Sequence, residues 1–116
     1  MKKYISILLT IFLIPIFVNA ETLTYNVCES GCEYENLRNV NREIDAISDL
    51  SDKDIIININ SDMQNYALWF NSSSIANSIT INGNGNIVNR VSFNAINANI
   101  NDLNVTIDIR ISPAKK

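Results

Sequence analysis

The spacing of hydrophobic and polar residues changes once along this chain, from a helical period to a strand period. From Tyr34 onward, apolar residues fall at Leu37, Val40, Ile44, Ile47 and Leu50. Steps of three and four place them on one face of a helix. Glu35, Arg38, Arg42, Glu43 and Asp49 take the other face, and "SDKD" from Ser51 to Asp54 ends the element. A stripe of this kind is expected to lie as a lid on a core.

Past Asp54 the period becomes two. "IIINI" from Ile55 to Ile59 is β-branched and nearly continuous, as expected of a strand buried on both faces. "YALWF", Tyr66 to Phe70, is a second extended piece. "SITIN", Ser78 to Asn82, alternates and stops at the glycine turn Gly83 to Gly85. "VSF", Val91 to Phe93, gives another short strand. "LNVTIDIRI", Leu103 to Ile111, alternates over nine residues. "NAINANIND", Asn94 to Asp102, reads as turns between strands, where stacked asparagines can form side-chain ladders.

The strand segments recur. Ile55–Ile57 and Ile79–Ile81 are 24 residues apart, and Val105–Ile107 lies 26 further on. Intervals of this size suit a solenoid, whose repeats bury their faces by stacking. A β-sandwich or meander with turns every 8–12 residues is the competing reading. Two intervals do not decide between them.

The first twenty residues stand apart. Lys2 and Lys3 precede an apolar run of about fifteen residues, Tyr4 to Val18, with small side chains at Val18 and Ala20. That is the pattern of a secretory signal peptide spanning residues 1–20, cleaved after Ala20. The run contains Pro15 and is short for a membrane span of about 20 residues. The expected location is secreted, periplasmic or at the outer cell surface, with no membrane span after cleavage.

Composition refines this picture. The chain of 116 residues contains 20 Ile and 19 Asn, which suits short strands separated by frequent turns. Without Lys2 and Lys3, seven basic residues face twelve acidic ones, a net charge near −5. Such a chain repels phosphate backbones, so nucleic acid is not an expected partner. No basic amphipathic stretch points to a membrane surface.

Cys28 and Cys32 are the only cysteines, spaced C-x3-C. In an exported chain such a pair is expected to form a disulfide, and Gly31 favours a turn there over a helix. The ring is small, so its effect falls below the ~3 kcal/mol of a 15-residue loop, and its role is to fix the approach to the helix. A metal site and a redox pair are the alternatives. The chain has no histidine to complete a zinc tetrahedron, and the spacing is one residue longer than C-x-x-C.

"GCEYENLRNVNREIDAI", "DIIININ", a lone Tyr66 and "SITINGNG", in this order, resemble the N-terminal region of right-handed parallel β-helix proteins of the pectin-lyase-like superfamily. Gly31, Cys32 and Tyr34 match the opening turn, and Ile44, Ala46 and Ile47 match the helix. Asp54 with Ile55 stands at the strand start, followed by Tyr66, Ile79, Ile81, Gly83 and Gly85. The match spans Val27 to about Ile111. One departure is Lys53, where the family often has glycine.

The resemblance implies a mostly β fold: a short right-handed parallel β-helix (solenoid) with an N-terminal amphipathic capping helix. Residues 21–54 would form the N-terminal turn and capping helix, and residues 55–116 the first coils of a truncated β-helix. The expected role is a non-catalytic structural or adhesive module at the cell surface, partnered by a surface glycan or by further β-helix coils. The alternatives are the N-terminal fragment of a pectate-lyase-like enzyme, or a truncated product without independent function.

Tyr66, Trp69 and Phe70 are candidates for stacking against a glycan, weighed against plain packing. Asn104, in "DLNVT", and Asn71 fit the N-x-[ST] glycosylation pattern, although Asn104 falls inside a predicted strand. Asp108 and Arg110 share a strand face as a solvated charge pair, and Arg90 reads as isolated. No catalytic, cofactor-binding or metal-binding residue is assigned.

Overall fold

The computed structural model describes residues 20–69 and 75–112. The protein is mostly β, with strands β1 (Glu21–Val27), β2 (Lys53–Ile59), β3 (Met63–Trp69), β4 (Ala76–Asn82), β5 (Ile87–Asn101) and β6 (Asn104–Ser112). One helix, α1 (Leu37–Asp45), lies between β1 and β2.

Every strand pair is parallel. β1, β2, β4 and the C-terminal half of β5 lie side by side, while the N-terminal half of β5 pairs with β3 and β6. A single long strand thus belongs to both groups, and the sheet curls around one core. Parallel pairing stacks like on like along the inner face. Leu23, Ile55, Ile79 and Ala98 form one column, and Tyr25, Ile57, Ile81 and Ile100 another. Ile55, Ile57, Ile79 and Ile81 are fully buried, each worth about 2 kcal/mol over an exposed side chain.

The outer face carries a ladder of amides. Asn58 Nδ2 donates to Asn26 Oδ1 at 2.9 Å, Asn82 Nδ2 to Asn58 Oδ1 at 2.8 Å, and Asn101 Nδ2 to Asn82 Oδ1 at 3.1 Å. Each amide has the shape of a peptide group, so parallel register lets the side chains repeat the backbone's pattern. Turns at the corner stack in the same way. Asn84 and Asp102 adopt left-handed backbone angles, and Gly85 N–H donates to the Asp102 carbonyl at 2.8 Å.

Helix α1 starts because Asn36 caps it, accepting from Asn39 N–H at 3.0 Å. Leu37, Val40 and Ile44 form its fully buried stripe, and it packs mainly on β3. Asn41 completes the contact as a strand would: its Nδ2 donates to the Ala67 carbonyl at 3.0 Å and its Oδ1 accepts from Trp69 N–H at 3.1 Å. The edge of β3 is therefore covered by a helix that supplies a peptide-like partner.

Several expectations change. The helix is shorter than its apolar stripe. Asp49 draws the N–H and Oγ of Ser51 to its carboxylate, a local turn that competes with continued helix, and Leu50 reaches the core from outside the helix. Residues 21–54 hold a full strand as well as the turn and helix, because β1 pairs with β2 along its whole length. β2 is buried on one face only: Ile55, Ile57 and Ile59 point inward, whereas Ile56 is half-buried on the outer surface. The stretch from Asn94 to Asn101 is strand and not turns, since β5 runs through it. Pairing with β4 explains this, because the layer beneath supplies partners that a turn would otherwise give: Asn101 Nδ2 donates to Asn82 Oδ1 and Asn97 Nδ2 to the Asn77 carbonyl. The 24-residue interval is a true stack, Ile55 on Ile79, but the 26-residue interval is not. Ile79 stacks on Ala98, and Val105 lies against Val88 in the other group.

Candidate functional site

β3 carries the aromatic candidates, and its irregularity decides how they are shown. Met63 lies opposite Val88 but Ala67 lies opposite Arg90, so β3 bulges across residues 64–66. Bulges re-aim side chains. Here Asn65 and Tyr66 are turned toward the helix, and the buried Leu68 anchors the strand behind them. Trp69 is 52% exposed, a large aromatic surface left in solvent.

An open groove of about 240 Å³ results, lined by Arg38, Asn41, Asn65, Tyr66, Ala67 and Trp69. Tyr66 and Trp69 thus line the same groove, while Phe70 lies outside the described residues. Asn41 uses both ends of its amide on β3, so it holds the groove's wall and is not free for a ligand. Arg38 and Asn65 are the polar lining groups that the strand pattern alone did not single out. In the sequence Arg38 stands out only as part of the helix's polar face, and Asn65 by no local signal, because the bulge that turns it toward the helix comes from the register with β5. Two aromatic side chains, a guanidinium and an amide can stack on a flat face and hydrogen-bond the groups at its rim.

A second groove, of about 370 Å³, is lined by Glu33, Tyr34, Asn39, Arg42 and Glu43. Tyr34 Oη donates to Glu43 Oε1 at 3.5 Å, and its ring lies 5.5 Å from that of Tyr25. Burial, reinforced by the nearby carboxylates, raises both phenols above their usual range. They stay neutral at ordinary pH, so this wall works by packing and hydrogen bonding.

The disulfide is present. Cys28 and Cys32 are bonded, with α-carbons 5.6 Å apart and Gly31 in a left-handed turn at φ +88°. Cys28 N–H donates to the Tyr34 carbonyl at 3.1 Å, so the ring closes the corner through which β1 leads to the helix. Asn104 opens β6, and its Nδ2 donates to the Gly85 carbonyl at 3.1 Å, so its amide is engaged in the corner. Asn71 lies outside the described residues.

Arg90 is not isolated. Register places it opposite Asp108, and its Nε donates to Asp108 Oδ1 at 2.6 Å, while Arg110 Nε donates to Oδ2 at 2.9 Å. The bond from Arg90, more than that from Arg110, holds the Asp108 carboxyl below its usual range. Asp54 is lowered in the same sense by Ser78 and Asn77 of the next layer. Both carboxylates tie neighbouring strands together.

No protein-family profile, curated protein or solved structure matches this chain. What the chain does is read from its own groove and its own edges.

Proposed function

We propose that this chain is an exported module of the right-handed parallel β-helix type, similar to the N-terminal end of pectin-lyase-like proteins, with a structural and glycan-adhesive role at the cell surface. The half-exposed Trp69, set beside Tyr66 at the open groove, carries the adhesive reading. Sugar rings present apolar C–H faces that stack on indole, and hydroxyls within reach of Arg38 and Asn65. Among the described residues the groove is lined by two aromatic rings, amides and a guanidinium, groups that suit binding by stacking and hydrogen bonding. The signal-peptide pattern of residues 1–20 supports export, and the Cys28–Cys32 disulfide agrees with an oxidising location. The helix-covered edge of β3 supports the capping role assigned to α1.

The test is a glycan array probed with the wild-type chain and with Trp69→Ala. Saturable binding that weakens about tenfold in the variant is the expected result, the size of one lost stacking contact. Binding indifferent to Trp69, or none at all, sinks the adhesive role. The outer edges of β5 and β6, unpaired among the described residues, favour a second reading, in which further coils stack there as in a pectate-lyase-like enzyme. Calcium-dependent release of unsaturated sugars would move the assignment to that class.

A further inference from the structure

The two ends of the parallel stack differ. At the first, α1 and Asn41 occupy the edge of β3. At the other, β6 pairs with β5 on one side only, and among the described residues nothing pairs its outer edge. The C-terminal half of β5 is likewise paired on one side, by β4. Ile109 lies beside the buried Val91 and so belongs to the core-facing surface, yet it is 50% exposed, and Ile107 is 62% exposed. A bare parallel edge backed by an uncovered apolar face is the feature that native sheets avoid leaving open.

The sequence of that edge says what fits it. From Thr106 to Ser112 it reads T-I-D-I-R-I-S, which is self-complementary about Ile109. Laid antiparallel against its own copy, Ile109 meets Ile109, Ile107 meets Ile111, Thr106 meets Ser112, and Asp108 meets Arg110 twice. Directly opposed residues share a face, so the isoleucines would cover one another and the charges would alternate in sign. Arg110 holds Asp108 of its own strand from the solvent side, its side chain 73% exposed, and can exchange that carboxylate for the one across the two-fold. The other outer strand has the same property: Ile96 to Ile100 reads I-N-A-N-I in both directions.

We propose that a second copy of this chain docks here, β6 against β6, antiparallel about a two-fold axis through Ile109. The contact is isologous and closes on itself, so it consumes the edge and gives a dimer, not a fibre. At the opposite end Asn41 takes the β3 edge and Tyr34 bridges the end of β1 at Val27, which leaves only the start of β1 open to head-to-tail pairing among the described residues. The dimer would present two Trp69 grooves, which goes beyond the adhesive role and does not depend on it.

The test is sedimentation of the chain expressed from the full sequence and purified in the form the cell leaves it, its mass fixed by mass spectrometry. The wild type is expected at twice the chain mass. Arg110→Asp sets like charges opposite each other at both pairs and weakens the dimer about tenfold or more, and Asp108→Arg does the same. Mixing these two variants restores opposite charges at both pairs, so a heterodimer forms where neither variant pairs alone. Asp108→Arg also removes the partner of Arg90, so Ile109→Lys serves as an independent check. It alters a half-exposed side chain, and a monomer with the wild-type circular dichroism spectrum is expected. A monomeric wild type, a dimer indifferent to Arg110→Asp and Ile109→Lys, or an open series of oligomers overturns the proposal. A folded monomer that still binds glycan overturns the dimer alone, and a dimer that binds none overturns the adhesive role alone.

Discussion

Gly83 and Gly31 are both turn glycines, and the structure needs them for different reasons. Gly31 sits at φ +88° with open space where a β-carbon would lie, so it is there for its backbone angle. Gly83 has no left-handed angle, but a methyl group on it would overlap the Asp102 carbonyl and the Leu103 backbone. The next layer's turn passes directly over it, and Gly83 N–H donates to the Asn101 carbonyl at 2.8 Å. Backbone cannot swing aside as a flexible side chain can. Gly83→Ala is therefore expected to lower the unfolding free energy by about 2 kcal/mol, read as a drop in the urea midpoint. Gly31→Asn, in a residue type that tolerates left-handed angles, should cost much less. Equal costs for the two would show that Gly83 is present for conformation and not for closeness. The sequence marks both glycines as turns, but the reason for Gly83 lies in a residue 19 positions away. Arg90 was illegible for the same cause: its partner Asp108 is 18 residues on, joined by register.

Helix α1 shows which elements the sequence reveals. Its apolar stripe was legible, because helical period is a local signal, whereas the strand that precedes it, β1, was not. Nor was Asn41, since an asparagine on a helix face gives no sign that it completes a strand edge. Asn41→Ala leaves the Ala67 carbonyl and the Trp69 N–H without this partner. Both are near solvent and partly rehydrate, so the expected loss is about 1–2 kcal/mol in a thermal or denaturant melt. Asn41→Asp keeps the acceptor for Trp69 but sets a carboxylate against a carbonyl, and should recover little of that loss. An alanine variant as stable as wild type would mean that apolar packing by Leu37, Val40 and Ile44 holds the helix unaided. β5 is the element that sequence reasoning misread most. Asn94, Asn97, Asn99 and Asn101 look like turn residues in isolation, and only the layer beneath makes strand residues of them: Asn97 Nδ2 reaches the Asn77 carbonyl and Asn101 Nδ2 reaches Asn82. β1 carries a weak alternating pattern, T-L-T-Y-N-V, just after the apolar N-terminal run, and its strand character comes from Ile55, Ile57 and Ile59 alongside it.

At the scale of the whole molecule the distance in sequence between stacked residues shrinks along the chain. Leu23 lies on Ile55, Ile55 on Ile79 and Ile79 on Ala98, steps of 32, 24 and 19 residues. No fixed period exists to be found, which is why recurrence in the sequence suggested stacking without deciding it. Long steps at the start make room for the disulfide corner and the helix, and the short last step leaves the final layer to β5 and β6 alone. Stability should follow this gradient, because each layer is held mainly by its neighbours. β2 and β4 are paired on both sides and backed by fully buried isoleucines, whereas β6 has one neighbour and half-exposed apolar residues. Amide hydrogen exchange is expected to be slowest at Ile55–Ile59 and Ile79–Ile81, and fastest among the strands along the outer edge of β6, with opening that begins at the uncovered end. Raising the protein concentration should slow exchange along β6 selectively if copies pair there, and leave β2 unchanged. Asn41→Ala should instead quicken exchange at β3, whose edge the helix covers through Asn41. Uniform protection across all six strands would refute the gradient, and would mean that the curled sheet opens as one cooperative body rather than layer by layer from its bare end.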